Sequence, residues 1–479
     1  MCRIGGVGIE NSPGSDAAGL GIVAKQDLPS NSLVLTVPSD VALSIESPGD
    51  GPDDRSVLSI VNRRDLEQLP WFAQFAVYLF KLDRVNSKKN NDKMEMKPWL
   101  DSLPRKFDTP IHWLASEQKE LQYDFLIDNT MRQKQQWEEW YQQIKNGNPG
   151  LVEMSWEDFL WGCECARSRA FSGAYTGSAF NPFSYAFTLL LVLIYVGGGF
   201  GTLEQAANGA GLVFCAQVLK DFVLPKLFKK KRYVICPVMD MANHRSIGTT
   251  GEVSFEFFGD AYSLAVMNGA FVPKDSEMFI SYGTRSNDQL LQYYGFVEPN
   301  NPNDVYIMPP LRNWNIAALE EACGRTFAPG RLQKLDRAGL LGSDSATKPM
   351  DASADEEAEN VGGGVVVTRT TGVDPAIMQA LRALVSTEEE WSAAGEAIGN
   401  FVEVNSGGPE NERLARLAAK TAMEMELAEK PTALEQDEEL LKRLNNQVKS
   451  MDSSIEEKLA VMFRIEKKKL LQETIQKLS

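Results

Sequence analysis

Four short runs of residues, far apart in the chain, carry groups from which a reaction could be built. Gly19-Leu20-Gly21 lets a backbone pass close to a ligand with no Cβ in the way. Arg167-Ser168-Arg169-Ala170-Phe171 sets guanidinium groups, whose planar fork suits a carboxylate, beside an aromatic ring. Asp240-Met241-Ala242-Asn243-His244 gathers polar groups in one short stretch. Tyr282-Gly283, Ser286-Asn287 and Tyr293-Tyr294-Gly295-Phe296 complete the set. One at a time these are ordinary: a Gly-x-Gly is a turn, an Asn-His pair a polar turn, a Tyr-Gly-Phe core beside a turn. Their order along the chain is the specific signal, because chance matches multiply.

Composition excludes several kinds of chemistry. Only two histidines occur, His112 and His244, so a multi-histidine metal site is ruled out. The six cysteines, at 2, 163, 165, 215, 236 and 323, form no paired C-x-x-C sets of zinc spacing. They are too few in 479 residues for a disulfide scaffold, so reduced, buried thiols are expected. The formal net charge of −16 argues against nucleic acid as a partner and suits a basic protein segment. Residues 1–10 lack the charged-then-apolar pattern of a secretory signal and the Arg/Ser richness of a transit segment. Strand-like sequence begins almost at once, which leaves a chain cut short at its start or a cytosolic protein.

The elements around these runs follow from pattern. Glycine-rich turns separate short strands over 3–45, with Ser32 to Val37 alternating toward a stop at Pro38. From Gln68 to Val85 the period becomes helical, with Trp71, Phe72, Phe75 and Leu79 on one face. Ser155 and Asp158 form a capping box that opens a helix through Cys163. Strand patterns return from Tyr233 to Tyr282, and Asn287 to Tyr294 reads as a short helix. After Pro302 the remainder reads as mostly helical, with a Ser/Asp/Glu/Gly-rich loop at 343–364 expected to be disordered. Ser453 and Glu456 read as the capping box of the last helix.

On the ordered motifs the chain resembles SET-domain protein methyltransferases of the Rubisco large-subunit lysine methyltransferase branch, which also holds the actin histidine methyltransferases. Pro98-Trp99-Leu100, Leu103-Pro104, Glu298-Pro299-Asn300 and Asp304 extend the resemblance. It implies an α+β fold: a β-rich SET domain of short strands with pseudoknot-like threading, a helical insert and an α-helical C-terminal domain. The expected divisions are 1–65 and 233–300 for the two parts of the SET domain and 66–171 for the helical insert. An apolar insertion occupies 172–232, and a substrate-binding-type helical domain 301–479. The resemblance further implies S-adenosyl-L-methionine as cofactor, no metal, and a lysine-bearing protein segment as substrate.

Residue roles follow from the resemblance. Ala18, Gly19 and Leu20 would touch the cofactor, Arg169 would pair with its carboxylate, and Phe171 would wall its methionine arm. Asn243 and His244 would contact the adenine and amino-acid portions, from a segment threaded through a loop formed by another. Tyr282 is the expected catalytic residue. Its hydroxyl, with backbone carbonyls near Ser168 and Asp240, would orient the acceptor nitrogen and contact the methyl group. Free lysine has a pKa of ~10.4, and a desolvated channel beside a cationic cofactor should lower it. Tyr294 would line the same channel and pack on the cofactor. The bland alternatives are a core hydrogen-bonding role for His244 and simple packing for the two tyrosines.

One departure from the family is plain. No charged residue occurs between Arg169 and Glu204, and Phe180 to Phe200 is about long enough to cross a bilayer core, which takes ~20 apolar residues. Pro182 and Gly197-Gly198-Gly199 interrupt it. Residues 180–228 are thus a candidate hairpin that dips into or spans a membrane, with Lys229 to Arg232 at the headgroups. The alternative is a pair of apolar helices packed on the domain or on a partner. The expected compartment is chloroplast or cytoplasm, with or without membrane attachment; oligomeric state is left open. Competing functions are histidine N-methylation on the same fold, a non-catalytic SET-like binding module, and a membrane adaptor.

Overall fold

Trp71, Phe72, Phe75 and Leu79 are all buried along the helix Trp71–Lys88. That helix packs against Trp156–Arg169, and the two come close at Gly162, where a Cβ would lie 2.6 Å from the Cα of Ala76. The second helix begins at Ser155, whose hydroxyl and the Asp158 carboxylate bond each other's backbone amides. The computed structural model describes residues 3–11, 19–46, 59–88, 96–174, 182–200, 202, 210–211, 213–215, 217–219, 231–256, 261–341, 364–447 and 454–479. Ala18 and almost all of the expected 343–364 loop lie outside these residues.

The chain divides into two compact units, each discontinuous in sequence. The first is Met1–Lys106 with Trp137–Tyr282. Its strands form small sheets, as short alternating segments broken by glycine turns should. An antiparallel sheet runs Arg3–Ile4, Leu33–Pro38, Ala261–Val266, Gly251–Glu256. A ribbon pairs Val7–Asn11 with Leu20–Ala24. A third sheet sets Lys231–Ile235 between Leu43–Glu46 and Phe171–Ala174. A parallel pair joins Asn243–His244 to Phe279–Ile280.

The second unit is Phe107–Gln136 with Gly283–Ser479. Its helices include Asn287–Tyr294, Pro375–Val385, Pro409–Ala428 and Ile455–Leu478. The first of these starts at a Ser286–Gln289 capping box and ends at Gly295 with φ +74°, where a side chain would be strained. A three-stranded antiparallel sheet, Val305–Met308, Val365–Thr368 and Gly372–Val373, was not anticipated in the helical reading. Lys467 is buried within the last helix and paired with Asp288 and Asp304. That helix is capped by Ser454, which accepts from the Glu457 amide, one residue past the expected Ser453, itself outside the described residues.

The apolar insertion contains the helix Pro182–Gly197, shorter than the run read from the sequence because the glycine triplet ends it, with Gly199 at φ +71°. Among the described residues no helix is long and apolar enough to cross a membrane. Phe187, Leu189, Leu190, Leu191, Leu193 and Ile194 are nonetheless exposed. Gln217 Nε2 donates to Thr188 Oγ1 at 3.4 Å, which ties the second apolar stretch to this helix.

Candidate active site

A single five-residue segment, Asp240 to His244, collects the motif residues of the first unit. It follows the strand Lys231–Ile235 through Val238, held at φ +74° and ψ −45°. For a β-branched residue this is a strained backbone worth about 1–3 kcal/mol, and such strain survives only where the surroundings enforce it. The turn carries Met239–Met241 as a 3₁₀ turn and then Asn243–His244 as a strand.

Arg169 reaches the segment from the end of the helix Trp156–Arg169. Its Nη1 donates to the Asp240 carboxylate at 3.0 Å and to the Asp240 carbonyl at 3.3 Å. Asp240 is buried, and its Oδ2 also accepts from the Trp99 indole at 3.1 Å. Burial holds the Asp240 carboxyl above the ordinary aspartate range, and the Arg169 charge only partly offsets this. Two buried polar atoms here have no hydrogen-bond partner, Arg169 Nε and Asp240 Oδ1. A donor and an acceptor left over side by side are what a ligand with both an anionic and a cationic group would satisfy.

Tyr282 reaches the segment from the other side. Its hydroxyl donates to the Ala242 carbonyl at 2.8 Å, and its amide donates to Nδ1 of His244 at 3.0 Å. The two rings stack at 5.0 Å. Because Nδ1 accepts, the ring proton sits on Nε2, which lies 3.1 Å from Ser246 Oγ. With its one proton given to Ala242, the Tyr282 oxygen is left as an acceptor toward anything else beside it.

Asn243 completes the convergence. Its Nδ2 donates to Glu277 Oε1 at 2.7 Å and to the Leu20 carbonyl at 3.3 Å. Glu277 was missed in the sequence, where it reads as one more polar residue of a Lys-Asp-Ser-Glu turn; only its bridge to Val23 turns it inward. It also explains Gly21, since a Cβ there would lie 2.2 Å from Glu277 Oε1 and 3.0 Å from Asn243 Nδ2. The demand for glycine at 21 thus comes from the protein's own carboxylate. Gly19 differs: among the described residues a Cβ there would meet nothing within 4 Å, and its φ of +56° sets the requirement.

The remaining candidates are placed as follows. Ser168 lies in the last turn of its helix, where carbonyls lack intrahelical donors, and its hydroxyl donates to the Glu164 carbonyl at 2.7 Å. Phe171 opens the strand opposite Val234 and is half-buried. Cys163 and Cys165, nearby on the helix, are buried, and burial pushes both thiols up, away from nucleophilic thiolate. Tyr294 belongs to the second unit, at the end of the helix Asn287–Tyr294, half-buried and edge-on to Phe296. Among the described residues no group of three or more His, Cys, Asp or Glu could hold a metal ion.

Residues 325–471 match the family model described as Rubisco LSMT substrate-binding. The chain is 24% identical over 303 residues to the chloroplastic ribulose-1,5 bisphosphate carboxylase/oxygenase large subunit N-methyltransferase of Pisum sativum, covering 60% of this chain and 48% of that protein. It is also 24% identical over 285 residues to the actin-histidine N-methyltransferase of Drosophila melanogaster, covering 60% of this chain and 45% of the relative. It spans about half the length of the curated relatives it matches. Among solved structures, Rubisco LSMT bound to sinefungin and monomethyllysine superposes with a TM-score of 0.57 at 19% identity, over 99% of this chain and 86% of that one. Rubisco LSMT bound to AdoMet gives 0.55 at 18%, over 99% and 87%. The chain therefore has the α+β fold of Rubisco LSMT-like SET methyltransferases, and its residues 325–471 are similar to the segment that the Rubisco LSMT substrate-binding model describes.

Proposed function

We propose that the chain is an S-adenosylmethionine-dependent protein-lysine N-methyltransferase acting on a non-histone protein. The observation that carries this is the meeting of Arg169, Tyr282 and Glu277 on the segment Asp240 to His244, at Asp240, Ala242 and Asn243 in turn. When bound, S-adenosylmethionine supplies a methyl group whose bond to sulfur breaks as an acceptor nitrogen's lone pair bonds to its carbon. Arg169 holds the cofactor carboxylate, and its unpartnered Nε fits that task. Gly19, Leu20, Asn243, His244 and Phe171 form the rest of the cofactor's seat. The Tyr282 oxygen, left as an acceptor, and the carbonyls of Ser168 and Asp240 orient the incoming nitrogen and exclude other poses.

Lysine is favoured over histidine as the acceptor because three plant relatives and two yeast relatives are named as lysine or Rubisco-subunit methyltransferases, against one named for actin histidine. The plant relatives are named as chloroplastic, which supports action in a chloroplast. Incubation of the protein with labelled S-adenosylmethionine and cell extract, followed by mass spectrometry of the labelled band, tests the reading. Methyl-lysine in a protein band supports it; methyl-histidine moves the acceptor, and an unlabelled extract overturns it.

A second property concerns residues 180–228, which we read as a membrane-association hairpin. The helix Pro182–Gly197 exposes leucines on more than one face, so a single protein groove would leave part of it in water. Its 16 residues rise about 24 Å, short of the ~30 Å hydrocarbon core, so it would dip into the bilayer and not span it. Deleting 178–228 should move the protein from the membrane fraction to the soluble one, and unchanged fractionation would remove the idea.

A further inference from the structure

Glu277 takes no part in the motifs of the sequence, yet it is only 8% exposed and reaches into the seat assigned to the cofactor. Its backbone is held on both sides: the Ala24 amide donates to the Ser276 carbonyl at 2.9 Å, and the Met278 amide to the Ile22 carbonyl at 2.8 Å. Its carboxylate lies over Gly21, where any side chain would displace it. From that position Oε1 accepts from Asn243 Nδ2 at 2.7 Å. The second acceptor on the same nitrogen is the Leu20 carbonyl at 3.3 Å.

A carboxylate and a backbone carbonyl can only accept, so the face of the Asn243 amide turned toward them must be its NH₂. A flip would set the amide oxygen against two oxygens. Both amide protons are thereby engaged, and the Asn243 oxygen is left as an acceptor that takes no hydrogen bond from the described residues. A carboxylate one residue behind that oxygen also makes the place favourable for a cation.

We propose that Glu277 is a positioning residue for the cofactor: by holding the Asn243 amide nitrogen it presents the Asn243 carbonyl oxygen to the cofactor's α-ammonium group. This rests on the methyltransferase reading and adds a residue to it. A purely structural Glu277 would instead tie the strand Leu20–Ala24 to its neighbours, and its replacement would lower the thermal midpoint while leaving the affinity of the folded chain for both ligands unchanged.

Calorimetric titration of the full chain with S-adenosylmethionine and with S-adenosylhomocysteine separates the two. Both ligands carry the ammonium, whereas only the first carries the sulfonium. In Glu277→Gln, whose amide no longer dictates which way Asn243 faces, both affinities should fall by about tenfold, or ~1.4 kcal/mol. The rate at saturating cofactor should be nearly unchanged, so the effect falls on KM and not on kcat. Unchanged affinities, a loss confined to S-adenosylmethionine, or a fall in kcat alone would overturn the proposal. Should Glu277→Gln unfold, the paired variant Asn243→Asp with Glu277→Gln restores a donor facing an acceptor with the roles exchanged. Recovery of binding relative to Asn243→Asp alone supports the proposal, and no recovery overturns it. A wild-type chain that binds neither ligand would remove the methyltransferase reading itself, which is a different result from a wild type that binds while the variant binds equally.

Discussion

The amide of Tyr282 donates to Nδ1 of His244 at 3.0 Å, and the two rings stack. One histidine nitrogen therefore sets the backbone of the residue assigned to the acceptor nitrogen, and the tyrosine hydroxyl is set separately by the Ala242 carbonyl. His244 thus has a structural duty whether or not it touches a cofactor, and the two readings of it from sequence are compatible.

Removing the hydroxyl with Tyr282→Phe takes away the acceptor while leaving the backbone bond to His244 in place. The methyl-transfer rate should fall roughly a hundredfold, the scale of a misplaced reactant. Cofactor affinity and thermal midpoint should change little. Single-turnover rates with labelled cofactor, read beside calorimetry, check this; an equal rate removes Tyr282 from its role.

His244→Ala leaves the Tyr282 amide without its partner, a loss of ~1–3 kcal/mol when such a group is buried. For a unit of this size each kcal/mol lowers the thermal midpoint by about 2–4 °C. Thermal unfolding of the variant should show that drop even with no cofactor present. An unaltered midpoint would mean that the ring is dispensable to the fold.

Gly21→Ala and Gly19→Ala should behave differently. At 21 the new methyl meets Glu277 Oε1 at 2.2 Å and must push the carboxylate off Asn243. At 19 it meets nothing within 4 Å among the described residues, and the left-handed φ of +56° is the strain, at about 1–2 kcal/mol. Gly21→Ala should therefore weaken S-adenosylmethionine binding more than Gly19→Ala does. The reverse order in a binding titration would contradict the place given to Glu277.

Asp240 supplies a pH dependence. Its carboxyl is raised above the ordinary aspartate range, chiefly by burial. A raised acid binds its proton more tightly folded than unfolded, so it contributes stability at low pH that is lost as pH rises through the folded value. Thermal midpoints of the wild type minus those of Asp240→Asn should become less favourable to the wild type as pH rises above the ordinary aspartate range. A difference that grows with pH would mean that the Arg169 pairing outweighs desolvation.

Much of this was legible from local signals. Ser155 with Asp158, and Ser286 ahead of Asn287–Tyr294 with Gly295 after it, mark helix ends by chemistry confined to a few residues. The buried face of Trp71–Lys88 follows from period alone. What was not legible is non-local. The sheet Val305–Met308 with Val365–Thr368 and Gly372–Val373 joins segments separated by a long stretch of chain, and its strands are too short to alternate convincingly. Asp240 was valued for its carbonyl, since nothing in its own neighbourhood announces Arg169, 71 residues earlier, as partner of its carboxylate. Glu277 needed the strand register to show which way it faces.

Binding of S-adenosylmethionine to the full chain, with Arg169→Ala as the comparison, tests the convergence on Asp240 to His244 most directly. One site per chain should appear by calorimetry, weakened about ten- to a hundredfold in Arg169→Ala, as loss of a charge-assisted bond predicts. No heat of binding, or equal affinity in the folded variant, would contradict it.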